Sequence, residues 1–198
     1  MTPNYFRAAC MAYKTLIALG INSLPIEPIQ ILSFCKNVVV HTYDKAAETL
    51  DVSDADYFRW MYLSNREAVT FRRELPDGRA VYELLYDRRS YGPRQRFTLA
   101  HELGHIVLKH RMEETWEDQE ADYYASQLLA PRPVFQLMKE SGMDISCPEL
   151  IASVFCLSRA ASRISVQPLR HCPDPELSEQ LKRQFADEIR RKGGVLSA

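Results

Sequence analysis

Apolar positions recur with two periods along the chain, and each change of period marks an element. Residues 3–19 carry apolar side chains at helical spacing and meet a stop at Gly20. After Pro28, Ile29 to Cys35 predicts a second helix, and Val38-Val39-Val40 a short strand. Asp54 to Leu63 predicts a helix given apolar bulk by Phe58, Trp60, Met61 and Tyr62. The period then falls to two. Glu67–Arg73 and Ala80–Asp87 alternate as strands, and Pro76-Asp77-Gly78 between them predicts a hairpin turn. From Pro93 the helical period returns, with Phe97, Ala100, Leu103, Gly104, Val107 and Leu108 along one stripe. Thr115 as N-cap and Pro131 beyond the last turn bracket another helix. Pro148 to Phe155, a tight turn at Cys156-Leu157 and a helix capped by Ser158 form a helical pair over residues 147–166. Leu177, Leu181, Phe185 and Ile189 recur every four residues through a charged stretch that Gly193-Gly194 should end. Such a narrow stripe suits docking on the body or on a partner.

The pattern predicts an α+β fold: a mostly helical single domain with a small β-sheet beside one long helix. At 198 residues and 46% hydrophobic, the chain is long enough for one sizeable core. That domain should span residues 1–172, centred on 93–135, with 173–198 as a charged C-terminal helix or tail. A net charge of −1 gives no general pull towards nucleic acid or an anionic membrane. The helix-turn-helix rhythm of residues 148–164 offers only Arg159 and Arg163 for base reading, so it should close the core instead. No run approaches 18 apolar residues, and Arg7 and Lys14 interrupt the weakly apolar N-terminus, which excludes a signal peptide and a membrane span. Cys10, Cys35, Cys147, Cys156 and Cys172 are an odd, scattered set without C-x-x-C spacing, as expected of reduced thiols in the cytoplasm.

The chemistry concentrates in His101-Glu102-Leu103-Gly104-His105. Histidines at i and i+4 of a helix lie almost above one another and can reach a single metal ion. Glu102 sits about 100° further round, placed to hold a water rather than to ligate. Gly104 costs the helix interior about 1 kcal/mol against Ala, which points to close packing or substrate approach there. A catalytic zinc needs a third protein ligand and one open position. In the following helix Ala121 and Ala125 mark a buried seam, which makes Glu120 the expected third ligand and Glu117, one turn earlier, its rival. Tyr91, Tyr123 and Tyr124 are candidate donors to a tetrahedral oxyanion.

Arg96-Phe97-Thr98-Leu99-Ala100-His101-Glu102-Leu103-Gly104-His105, followed by Glu120-Ala121-Asp122-Tyr123-Tyr124-Ala125 and Leu128-Leu129-Ala130-Pro131, resembles the ImmA/IrrE metallo-endopeptidases. Tyr124 stands where phenylalanine is usual in that pattern, and Ala130 where methionine is common. The resemblance implies a minimal, gluzincin-like peptidase with one zinc ion on His101, His105 and Glu120 and with Glu102 as general base. Thermolysin-like sites also carry an aspartate four residues after the carboxylate ligand, where this chain has Tyr124, so the residues that orient the histidines are left unassigned. The resemblance further implies a cytoplasmic bacterial protein of a mobile element. Its expected substrate is a helix-turn-helix repressor, cut to relieve repression. A non-cleaving, metal-stabilised protein that captures such a regulator is the alternative. Amidase or aminopeptidase chemistry would use the same ligands.

Overall fold

The computed structural model describes residues 2–49, 67–90, 92–111, 114–165 and 174–196. Among them, helices α1 (Tyr5–Ala18) and α2 (Pro28–Ser33) precede strand β1 (Val38–Thr42) and helix α3 (Tyr43–Thr49). Strands β2 (Ala68–Glu74) and β3 (Ala80–Tyr86) follow, then α4 (Gly92–Leu108), α5 (Thr115–Leu129), α6 (Arg132–Glu140), α7 (Pro148–Phe155), α8 (Arg159–Ser165) and α9 (Pro175–Leu196). The fold is α+β and mostly helical, with one small sheet, as the pattern predicts. The predicted helix at Asp54–Leu63 lies outside the described residues.

The sheet has the order β1-β3-β2. β3 pairs in parallel with β1, from Val38↔Tyr82, and antiparallel with β2, from Ala68↔Tyr86 to Glu74↔Ala80. Successive side chains of a strand face opposite ways. Leu84 therefore enters the main core while Leu85 joins Tyr43, Ala46 and Val69 in a small second cluster beneath α3. Both leucines are fully buried, so the central strand is covered on its two faces.

The main core gathers Tyr13 and Leu16 of α1, Leu103 of α4, Tyr124 and Leu128 of α5, Phe135 of α6 and Phe155 of α7. Leu181, Phe185 and Ile189 of α9 are fully buried in the same cluster, so the C-terminal stripe docks on the body. Gly193 and Gly194 do not end α9, which runs to Leu196. A glycine stop uses a positive φ, and neither residue adopts one. Similarly, Pro131 begins α6 as its N-cap instead of only following α5. The pair α7–α8 matches its prediction: Cys156 turns in the left-handed region at φ 51°, and Ser158 Oγ accepts the Ala161 N–H.

Two polar anchors fix α4. Arg96 is buried and donates to the carbonyls of Phe155, Cys156 and Ile26, at 2.9, 2.5 and 2.5 Å. It thereby closes the C-terminal end of α7. On the sheet side, Glu67 accepts from Thr98 Oγ1 at 2.9 Å and pairs with Arg94, which ties α4 to the start of β2. α4 and α5 then meet at Gly104. A Cβ there would lie 3.1 Å from Ala121 Cα and 3.2 Å from the Ala121 carbonyl oxygen, and 3.1 Å from the Tyr124 ring.

Gly104→Ala gains about 1 kcal/mol of helix propensity but overpacks against backbone, typically 1–3 kcal/mol. We expect a net loss of stability, read as a lower denaturant midpoint with an unchanged m-value; a higher midpoint would contradict this packing. Glu188 of α9 supplies a pH-dependent term. Burial opposes its charge, yet the Arg191 guanidinium, the Leu24 N–H and Lys192 hold its carboxyl below the ordinary glutamate range. A depressed carboxylate stabilises the fold above its unfolded pKa and loses that contribution as pH falls through its folded one. The stability gap between the protein and Glu188→Gln should therefore be full near neutrality and vanish on acidification below the ordinary glutamate range.

Candidate metal centre

α4 ends in a turn that delivers another histidine to the site. Lys109 takes a left-handed φ of 58°. Its N–H bonds the Ile106 carbonyl at 3.2 Å, and the His110 N–H bonds the His105 carbonyl at 3.0 Å, a Schellman closure with lysine in glycine's usual place. The chain then reverses into α5. Glu114, not Thr115, is the N-cap, and Glu117 closes the cap with a carboxylate that accepts the Arg111 and Glu114 N–H groups. Glu117 is thus engaged by the turn and is not among the side chains that converge with the histidines.

The two motif histidines converge. His101 Nε2 and His105 Nε2 lie 2.9 Å apart, with an Asp118 carboxylate oxygen 3.5 Å from His105 Nε2. Among the described residues, His101, His105 and Asp118 form the set whose ligand atoms all lie within 4.8 Å of one another. His101 Nδ1 faces Asp122 Oδ1 at 2.8 Å. An ionised carboxylate can only accept, so Nδ1 carries a proton, and in the neutral ring Nε2 then presents a lone pair. His101 Nε2, His105 Nε2 and the Asp118 carboxylate thus converge on one small space, an arrangement that suits a cation. Two imidazoles and one carboxylate, with an outer carboxylate on one imidazole, are the donor set of a catalytic zinc. The residues fit the ion.

Glu120 stands elsewhere. It is 2% exposed and points towards α1, accepting the Asn4 N–H at 2.7 Å, Arg7 Nη1 at 3.3 Å and His110 Nε2 at 3.2 Å. The carboxylate that the fold brings beside the two histidines is that of Asp118, and Glu120 does not join them. The reason is helical phase. With Ala121 against Gly104, residues 118 and 122 flank the contact on the histidine side and residue 120 falls on the other. The same shift supplies the orienting aspartate, since Asp122 is four residues after Asp118 and bonds the first histidine.

The charge balance of the pair is unequal. Burial works against protonated His101, but the Asp122 hydrogen bond and the charges of Glu102, Asp122 and Asp118 outweigh it and raise its pKa. Burial, with His101 and His110 adjacent, pushes His105 down to about 3. His105 is thus neutral across the physiological range, as a ligand must be.

An open cleft of about 660 Å³ runs between α4 and β2. Ala68 to Arg72 of β2 and Tyr82 form one side; His101, Glu102, His105, Ile106, His110, Arg111 and Asp118 complete it. Glu102 therefore borders the same space as the converging histidines. Among the described residues β2 is an edge strand of the sheet, and its residues Ala68 to Arg72 line the cleft. Of the tyrosine candidates, Tyr123 and Tyr124 do not reach it. Tyr124 is fully buried with its hydroxyl 3.0 Å from Thr15 Oγ1, and Tyr123 packs on the Tyr5 ring at 5.0 Å. Tyr91 lies outside the described residues. Arg72, Arg111 and Tyr82 are among the donors that line the space instead. Sequence reasoning missed Asp118, Asp122 and His110; the i, i+4 aspartate pair was the available signal.

Removing the Asp118 carboxylate by Asp118→Ala should weaken zinc binding far more than Glu120→Gln, measured by competition with a chromophoric chelator. Equal losses would return Glu120 to the ligand set.

A model described as Peptidase_M78, the IrrE N-terminal-like domain, matches residues 37–165, about two thirds of the chain. No curated protein matches the chain. Among the described residues no helix is long and apolar enough to cross a membrane.

Proposed function

Because the chain belongs to the Peptidase_M78 family, whose members carry a metallopeptidase-like domain, we propose that it is a zinc-dependent endopeptidase. The observation that carries this reading is the convergence of His101, His105 and Asp118 beside Glu102, on the wall of a cleft bordered by the edge strand of the described sheet. Bound zinc would act as a Lewis acid and lower the pKa of water to near 7. Everything else falls to the protein's own side chains. The Glu102 carboxylate receives the proton of the attacking water and returns it to the leaving amine nitrogen. Arg72, Arg111 and Tyr82 offer donors to the charge that develops on the carbonyl oxygen. The edge of β2 holds an extended substrate by backbone hydrogen bonds, as a strand added to the sheet.

A cleft of this form takes an unfolded linker and not a packed domain. We assign the substrate to an exposed interdomain segment of a cytoplasmic helix-turn-helix repressor, whose cutting relieves repression. The resemblance of the Arg96–His105 and Glu120–Pro131 motifs to the ImmA/IrrE peptidases supports that class.

Glu102→Gln keeps the ligands and removes the base, so zinc content should stay at one ion while cleavage falls at least about 100-fold. Repressors that co-purify with the variant and are cut by the zinc-loaded wild type would identify the substrate. A regulator bound by both forms and cut by neither would replace the peptidase with a capture protein.

A further inference from the structure

His110 has no place in the ligand set, yet its side chain is 4% exposed and both ring nitrogens have partners. Its Nε2 lies 3.2 Å from Glu120 Oε2, and its Nδ1 lies 3.1 Å from His105 Nδ1. The ring stands edge-on to both His105 and Trp116, with centroids at 5.0 and 5.9 Å, which fixes its plane.

The direction of these bonds follows from Glu120. Its carboxylate faces the Arg7 guanidinium and accepts the Asn4 N–H, and a carboxylate so placed accepts from His110 as well. His110 Nε2 must then carry the proton it donates. In a neutral imidazole the other nitrogen is an acceptor, so His110 Nδ1 receives a hydrogen bond from His105 Nδ1–H. His105 is left with its proton on Nδ1 and its lone pair on Nε2, facing His101 and Asp118. His101 reaches the same state directly through Asp122.

We propose that His110 and Glu120 are positioning residues: a relay running Arg7–Glu120–His110–His105 that holds the second histidine in its metal-binding tautomer. The inference rests on the zinc reading above. It gives Glu120 a role one histidine removed from the ion, and gives α1, outside the residues that match the family model, a part in the site. The asymmetry is chemical. His101 is oriented by an exposed carboxylate in one step, and His105 by a buried one in two.

The test uses the full-length chain. Nitrogen-15 NMR of metal-free wild type should show His105 as the Nδ1–H tautomer. In His110→Phe, which keeps a ring but no nitrogen, that tautomer should give way to Nε2–H, and zinc affinity by chelator competition should fall about 10–100-fold. His110→Gln should restore both readouts, because its amide can accept from His105 and donate to Glu120. A purely structural His110 would lower the melting temperature of the phenylalanine variant yet leave tautomer and affinity unchanged, which would overturn the relay. An Nε2–H tautomer in the wild type would overturn it too, even if the phenylalanine variant does not fold. Wild-type protein that binds no zinc, or keeps it after Asp118→Ala, would instead overturn the metal reading beneath it.

Discussion

The close approach of α4 and α5 at Gly104 sets the rest of the site. With no side chain there, Ala121 backbone atoms come within 3.1–3.2 Å of where a Cβ would stand. One turn before Ala121 is Asp118 and one residue after it is Asp122; these meet His105 and His101. Each helix rotates as a unit, so one contact fixes three carboxylates at once: two towards the histidines and Glu120 away from them. About 1 kcal/mol of helix propensity surrendered at a single glycine secures an alignment that side-chain bonds of exposed aspartates could not hold.

Buried charge does much of the remaining positioning. Glu117, Glu120, Arg96 and Glu188 are all nearly inaccessible, and each is met by backbone groups or opposite charge. An ionic group taken out of water without such partners is strongly destabilising. Their partners are chain ends and turns: the start of α1, the close of α7, the reversal between α4 and α5, and the loop at Leu24. The apolar core brings helices together without choosing among nearby orientations. These directed contacts choose.

Periodicity made most elements legible. The hairpin around Pro76-Asp77-Gly78, the stripe of α4 and the pair α7–α8 all follow from local chemistry that the tertiary structure does not override. The histidine pair was legible for the same reason, because i and i+4 are neighbours on any helix. The third carboxylate was not. Ala121 and Ala125 identify the buried seam of α5, but acids at 117, 118, 120 and 122 surround it, and only the neighbours decide their roles. Glu120 is claimed by Asn4 and Arg7, more than 110 positions away along the chain. Tyr123 and Tyr124 face α1 for the same cause. The glycines near the end of α9 look like a stop, yet tertiary packing carries the helix through them. Pro131 reads as a terminator of one helix and serves equally as the start of the next.

The contacts that steady α1 extend the support of the site well beyond the cleft. Gln184 of α9 donates to the Leu16 and Ile21 carbonyls at the end of α1, and Phe185 and Ile189 share its core. α1 in turn presents Arg7 and Asn4 to Glu120. α1 therefore leans on partners more than 160 positions away along the chain. Since Asn4 and Arg7 in turn hold Glu120, α9 braces, through α1, the helix that carries Asp118 and Asp122.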